Sequence, residues 1–192
     1  MVIFPTIWSL AKLRHVDICD CDVFDLDIEK PTELENLTTL EHLNLSCSFD
    51  FHFPSSLKEV KFHGINLKSD ALLGIGRSLP NLEKLQLIRA SIEGGKEWNM
   101  EQVTFPNLKS LKLYTKSFFE WQVIADESFP VIEKLKIYNC TVIIEIPESF
   151  RDIASLMSIS LWLSPQLKES ALKIKEYVEE MTGEDKIEVK YT

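Results

Sequence analysis

The chain has 192 residues, a formal net charge of −9, 45% hydrophobic and 27% charged content, the proportions of an ordinary soluble globular chain. No long apolar span is present, and the opening MVIFPTIWSLAK lacks the basic start and small-residue cleavage site of an export signal, so it reads as structure. Residues 17 to 50 hold ten acidic side chains and one lysine, which already sums to −9; a balance this local argues against nucleic acid as the partner, because a phosphate backbone needs a broad basic face.

Seven segments share one spacing, with apolar residues at the first, fourth and sixth positions. In chain order they are Leu13, Val16, Ile18; Leu40, Leu43, Leu45; Leu57, Val60, Phe62; Leu82, Leu85, Leu87; Leu108, Leu111, Leu113; Ile132, Leu135, Ile137; and Leu156, Ile159, Leu161. Their starts lie 27, 17, 25, 26, 24 and 24 residues apart, the interval of a leucine-rich repeat of roughly 20–29 residues apart from one short step. The later apolar pair of each segment alternates with period two and faces one side of a short strand. One repeat cannot bury that side alone, but stacked repeats share one leucine core. The expected fold is an α/β repeat: a leucine-rich-repeat solenoid, or horseshoe, with a parallel concave β-sheet and an irregular convex side, its repeats filling residues 1–164 with about seven strands. The structural alternative is a sandwich or α/β sheet whose apolar strands keep no fixed period.

The connections are read in the same order. Asp17 to Asp27 offers carboxylates and the thiols of Cys19 and Cys21 near His15, yet has neither paired C-x-x-C spacing nor the glycine and terminal glutamate of a calcium loop, so no metal is expected. Cys21 and Cys140 fall where the repeat takes Asn or Cys. None of Cys19, Cys21, Cys47 and Cys140 has disulfide-framework spacing, which favours a reducing, cytoplasmic setting; the sequons at Asn36, Asn44 and Asn139 read as coincidence. The short step between Leu40 and Leu57 calls for a tight turn through Ser48 to Pro54. Gly74-Ile75-Gly76-Arg77-Ser78 is too short for a phosphate-binding loop and lacks its lysine, so it reads as a bend before the fourth strand. The histidines have no nucleophile motif beside them, and no catalysis is expected. Trp98 and Trp121 each precede a Phe-Pro pair by seven or eight residues, as anchors packing the connection on the core.

Residues 165–192 are expected to cap the repeats. Ser164-Pro165 offers a helix cap and first residue, Leu167, Ala171, Ile174, Val178 and Met181 form one apolar stripe, and Gly183 offers a stop. Ile187, Val189 and Tyr191 then alternate as a final edge strand.

Between the apolar positions run three outward columns. The first is His15, His42, Glu59, Lys84, Ser110, Lys134, Ser158; the second Asp17, Asn44, Lys61, Gln86, Lys112, Lys136, Ser160; the third Cys19, Ser46, His63, Ile88, Tyr114, Tyr138, Trp162. From the fourth repeat on, lysines stand beside aromatic rings. Lys84, Lys112, Tyr114, Lys134, Lys136, Tyr138 and Trp162 are therefore the candidate partner-binding residues, with the rings giving contact area and the lysines steering. Equally, the rings can stack on one another for stability alone. The acidic window around Asp20 to Asp27 is either a docking patch for a basic domain or a solvated face.

Several phrases carry a family likeness. Pro5-Thr6-Ile7-Trp8-Ser9-Leu10-Ala11-Lys12-Leu13-Arg14-His15-Val16 resembles the P-x-I-W-x-L-x-x-L-R-H-L phrase of plant intracellular nucleotide-binding leucine-rich-repeat immune receptors. Trp121 ahead of Phe129-Pro130, and Cys140 followed by Ile146-Pro147-Glu148-Ser149-Phe150, are similar to late repeats of those receptors, and residues 167 to 177 resemble the tail of the coiled-coil type active against late blight. The resemblance implies a recognition and autoregulatory module, not an enzyme. It implies protein partners: a pathogen effector or its host target, and the parent receptor's own nucleotide-binding domain. ATP or ADP would belong to a nucleotide-binding domain upstream, and no cofactor is expected here. Two other readings stay open: a substrate-adaptor repeat domain of an F-box-type ubiquitin ligase, and a purely structural repeat.

Overall fold

The structure, a computed structural model, describes residues 14–17, 38–43, 55–64, 66–67, 71–92, 97–100, 102–115 and 120–192. The opening segment, the acidic candidates 18–27 with Cys19 and Cys21, Asn36, Asn44, Ser46, Cys47 and the turn 48–54 lie outside the described residues, as do the side chains of Asp17, His42 and Trp98. In chain order the elements are β1 His15–Asp17, β2 Thr39–Leu43, β3 Glu59–His63, β4 Asn66–Leu67, α1 Ala71–Ser78, β5 Lys84–Ile88, β6 Ser91–Ile92, β7 Glu97–Asn99, β8 Ser110–Tyr114, β9 Glu120–Gln122, α2 Ala125–Ser128, β10 Lys134–Tyr138, β11 Ser158–Trp162, α3 Lys168–Thr182 and β12 Glu188–Tyr191.

Eight strands form one sheet in the order β1-β2-β3-β5-β8-β10-β11-β12, and every neighbouring pair is parallel. The expected strands are all in it, and β12 adds the outer edge. Because successive residues of a strand point to opposite faces, the rows Val60, Leu85, Leu111, Leu135, Ile159 and Phe62, Leu87, Leu113, Ile137, Leu161 are buried together on one side. The residues between them stay partly or wholly exposed on the other. The buried side packs on the connecting segments, where the short parallel pairs β4 with β6 and β7 with β9 lie.

The second repeat departs from the expected register. The N–H groups of Thr38, Lys58, Glu83, Lys109, Glu133 and Met157 each donate to the carbonyl of the matching residue one repeat earlier, beginning at Arg14. Equivalent positions are thus 24, 20, 25, 26, 24 and 24 residues apart, and the seventeen-residue step disappears. Leu40, read as a first position, instead lies opposite Val16 and Val60, and a register shift between Glu41 and Leu43 brings Leu43 opposite Phe62. The cause is a leucine-dense run: Leu40, Leu43 and Leu45 satisfy the spacing, whereas the frame that starts three residues earlier at Leu37 has His42 at its sixth position and is completed by Leu43 only through the register shift. In this repeat the register positions expected of His42 and Asn44 belong to Thr39 and Glu41, which pair with His15 and Asp17 on one side and Glu59 and Lys61 on the other.

Three rows, the first exposed and the other two internal, tie the repeats together. Asn81 donates to the Ser55 carbonyl at 2.9 Å and Asn107 to the Pro80 carbonyl at 2.8 Å, which explains the recurrent Pro-Asn. At the other end of the strands, Gly64, Arg89, Asn139 and Leu163 take positive φ of 67°, 54°, 50° and 50°. The residues after the last three, Ala90, Cys140 and Ser164, turn into the interior. There Thr115 Oγ1 donates to the Ala90 carbonyl, the Thr115 N–H to Cys140 Sγ at 3.3 Å, and the Cys140 N–H to Ser164 Oγ at 3.1 Å. Burial pushes the Cys140 thiol up to about 11. Deeper in, the Phe105 and Phe129 rings stack at 6.0 Å and the Phe129 and Phe150 rings at 6.2 Å, with Trp121 5.1 Å from Phe150. Trp121 is therefore an internal anchor, as its place before Phe129-Pro130 implied.

Three smaller expectations are corrected. Gly74 to Gly76 lie within α1, not in a bend; a Cβ on Gly76 would stand 3.0 Å from the Thr104 carbonyl, so the glycine marks a close helix-to-chain approach. Ser164 does not cap a helix, since Pro165–Leu167 is a 3₁₀ turn and the Ser164 hydroxyl serves the internal row instead. Met181 is 69% exposed and leaves the stripe, while Leu167, Ala171 and Ile174 are buried and Val178 packs beside them. Gly183, at φ 72°, ends α3 as expected. In β12 Tyr191 stands opposite Leu161 in a core row yet is half exposed, with Lys168 Nζ 4.0 Å from its ring centre.

Candidate recognition surface

The open face of the sheet carries the candidate residues, each fixed by strand register. Lys84 is on β5, Lys112 and Tyr114 on β8, Lys134, Lys136 and Tyr138 on β10, and Trp162 on β11. Lys112 stands beside Lys136, and beyond it on the other side come Gln86 and Lys61. One step further along the strands, Ile88 pairs with Tyr114 and Tyr138 with Trp162, while the Leu113–Ile137 register sets Tyr114 next to Tyr138. The rings share one lateral row on the open face, as expected.

Electrostatics divide the lysines. Lys84 Nζ lies 3.1 Å from Glu59, whose other oxygen accepts from Gln86. Lys58 and Lys109 both bind Glu83, whose carboxyl they hold below its ordinary range. Among the described residues, Lys112, Lys134 and Lys136 form no salt bridge. Lys112 is half-buried, and desolvation first, then the charges of Lys136 and Lys61, lower its pKa from the ordinary lysine value. Its ammonium rests 4.7 Å from the centre of the Tyr138 ring, an arrangement in which the ring face offsets part of the lost hydration.

Two depressions meet at this pair. A basic one of about 400 Å³ is lined by Lys84, Lys112, Lys134, Lys136 and Tyr138, with Glu59, Glu83 and Glu133 toward the leading ends of the strands. The other, about 300 Å³, lies between Ile88, Tyr114, Tyr138, Trp162 and Leu163, with Lys112 and Asn139 on its border. Trp162 is 52% exposed and Leu163 57%. Asn139 donates to the Tyr114 hydroxyl at 3.3 Å, which fixes one wall. Leu163 and Asn139 were missed as site residues, because they reach the notch only through the left-handed turns that follow β10 and β11; the one usable signal was Asn at such a turn. The structure brings together Lys112, Lys136, Tyr114, Tyr138 and Trp162. It diverts Lys84 to Glu59 and leaves Lys134 at the leading end.

Among the described residues no His, Cys, Asp and Glu cluster could hold a metal ion, and no helix is long and apolar enough to cross a membrane.

No family model matches the chain. It is 36% identical over 122 residues, 63% of the chain, to late blight resistance protein R1-A of Solanum demissum. To the late blight resistance protein homologs R1B-12 and R1B-13 of the same plant it is 35% identical, over 77% and 68% of the chain respectively. The chain spans 9% of the length of R1-A and 11% of that of R1B-12 and of R1B-13. It is thus a homologue of one segment of the plant late blight resistance proteins, and the resemblance read from its phrases is borne out.

Proposed function

We propose that the chain is a leucine-rich-repeat recognition module acting in plant disease resistance, with residues 1–164 as the repeats and 165–192 as their cap. Its concave face binds a protein, either a pathogen effector or the host protein an effector alters. In a longer receptor the same module restrains the nucleotide-binding switch, in the cytoplasm. One observation carries this reading: Lys112 and Lys136 lie side by side with no counter-ion among the described residues, one of them partly desolvated, against a row of three rings. Lysines arranged in this way steer an acidic surface, and half-exposed rings supply the anchoring area. The relatives' names favour resistance over the ubiquitin-ligase adaptor.

The test is differential recovery. The chain and a variant carrying Lys112→Glu, Lys136→Glu, Tyr138→Ala and Trp162→Ala are used as paired baits in extracts of pathogen-challenged plant tissue, after circular dichroism has shown equal folding. Proteins retained by the chain and lost by the variant support the reading. Identical recoveries place recognition elsewhere.

A further inference from the structure

Resting on the recognition face just described, we propose the chemistry of its occupant: an extended segment of a partner protein that carries a carboxylate two residues away from a large apolar side chain. The basic depression and the aromatic notch are separate spaces, yet Lys112 and Tyr138 line both. They form a shared wall, so one continuous ligand fills both spaces.

The spacing follows from the register. Lys136 and Tyr138 are two residues apart on β10, and Lys112 and Tyr114 two apart on β8, a distance of about 7 Å along a strand. A peptide lying extended along the strands repeats that distance between its own residues i and i+2, with both side chains facing the sheet. A Glu or Asp over Lys112 and Lys136 therefore sets the residue two positions on over the notch.

Charge selects the first residue. Of the three carboxylates that line the basic depression, two are already engaged, Glu59 by Lys84 and Gln86, and Glu83 by Lys58 and Lys109. Glu133 borders the basic depression at the leading end, where it repels an incoming carboxylate toward the Lys112–Lys136 end. An anion there offsets the repulsion between the adjacent Lys112 and Lys136. Shape selects the second residue: Ile88, Trp162 and Leu163 give the notch apolar walls, and among the described residues the only charge at its border is the Lys112 ammonium over Tyr138.

The experiment is selection of a random twelve-residue peptide library on phage against the full chain, at low salt, followed by fluorescence polarisation of the enriched peptides. The expected result is enrichment of Asp or Glu two positions from Leu, Ile, Phe or Trp. Their affinity should fall at least tenfold with Lys112→Glu/Lys136→Glu and separately with Trp162→Ala. Moving the acid to the adjacent position, or replacing it by Gln or Asn, should give a similar loss. Peptides that need Trp162 but carry no acidic residue would overturn this inference while leaving the recognition face standing. Peptides indifferent to all three substitutions would overturn both, and failure to enrich any peptide would overturn the linear-segment proposal alone. Melting curves of each variant guard against a folding loss.

Discussion

Lys112 Nζ sits 4.7 Å from the centre of the Tyr138 ring, with the like charges of Lys136 and Lys61 on either side. Burial is the main cause of its lowered pKa, but the two neighbours contribute. Replacing Lys136 by Gln removes one repulsion from the charged form and should move the Lys112 pKa back up toward 10.5. Titration of the Lys112 side-chain resonances by NMR reads this directly. An unmoved value would mean that the two lysines point apart and form no shared anion site.

Cys140 gives a second, internal test. Its thiol is buried and accepts the Thr115 N–H, and burial pushes its pKa up from the ordinary 9.0 to about 11. A raised folded pKa on an acid means the unfolded chain loses its proton first, so this contribution to stability is complete below pH 9 and is lost as pH rises toward 11. Native Cys140 should resist alkylation at neutral pH, checked by mass mapping of its peptide, because the thiolate is the reactive form. Cys140→Ser should lose less stability on going from neutral to alkaline pH than the unaltered chain, whereas Cys140→Ala should lose about 1 kcal/mol at neutral pH through the broken row. Rapid native alkylation would contradict the buried placement.

The cap is testable by truncation. Leu167, Ala171, Ile174 and Ile187 are buried against the last repeat. Removing residues 165–192 should expose the Ile159 and Leu161 layer and give a chain that aggregates or melts well below the intact one. The milder Leu167→Ala should cost about 2–5 kcal/mol in denaturant unfolding. A truncated chain that stays monodisperse with an unchanged melting temperature would deny α3 any capping role.

Much of this was legible because period two is a strict code. Once Leu85, Leu111 and Leu135 are set facing inward, Lys112, Lys136, Tyr114 and Tyr138 must face outward, and they do. What was lost depended on choices a linear pattern does not encode. The leucine-dense second repeat matches the spacing from Leu40, yet strand pairing sets the frame three residues earlier, with a register shift that passes over His42. Ser164 looked like a helix cap because Pro follows it, but the unpaired Cys140 N–H of the previous repeat claimed its hydroxyl. Lys84 and Lys112 looked alike until Glu59, 25 residues back, was seen to neutralise one of them. The notch beside Trp162 needed the left-handed turn at Leu163, which nothing in a leucine's chemistry announces.

The central claim is that this lysine-and-ring face is where the chain meets its protein partner. The most direct measurement is the rate split in surface plasmon resonance between the folded chain and the partner recovered with it. Lys112→Glu/Lys136→Glu should slow association severalfold, most at low salt, because exposed charges steer over a range of about 10 Å at 0.1 M ionic strength, and should also speed dissociation where a carboxylate rests on the two lysines. Tyr138→Ala/Trp162→Ala should leave association near its original rate and speed dissociation at least tenfold, as loss of a buried aromatic anchor does. Unchanged rates for both variants, in proteins whose melting curves match the original, would contradict the account.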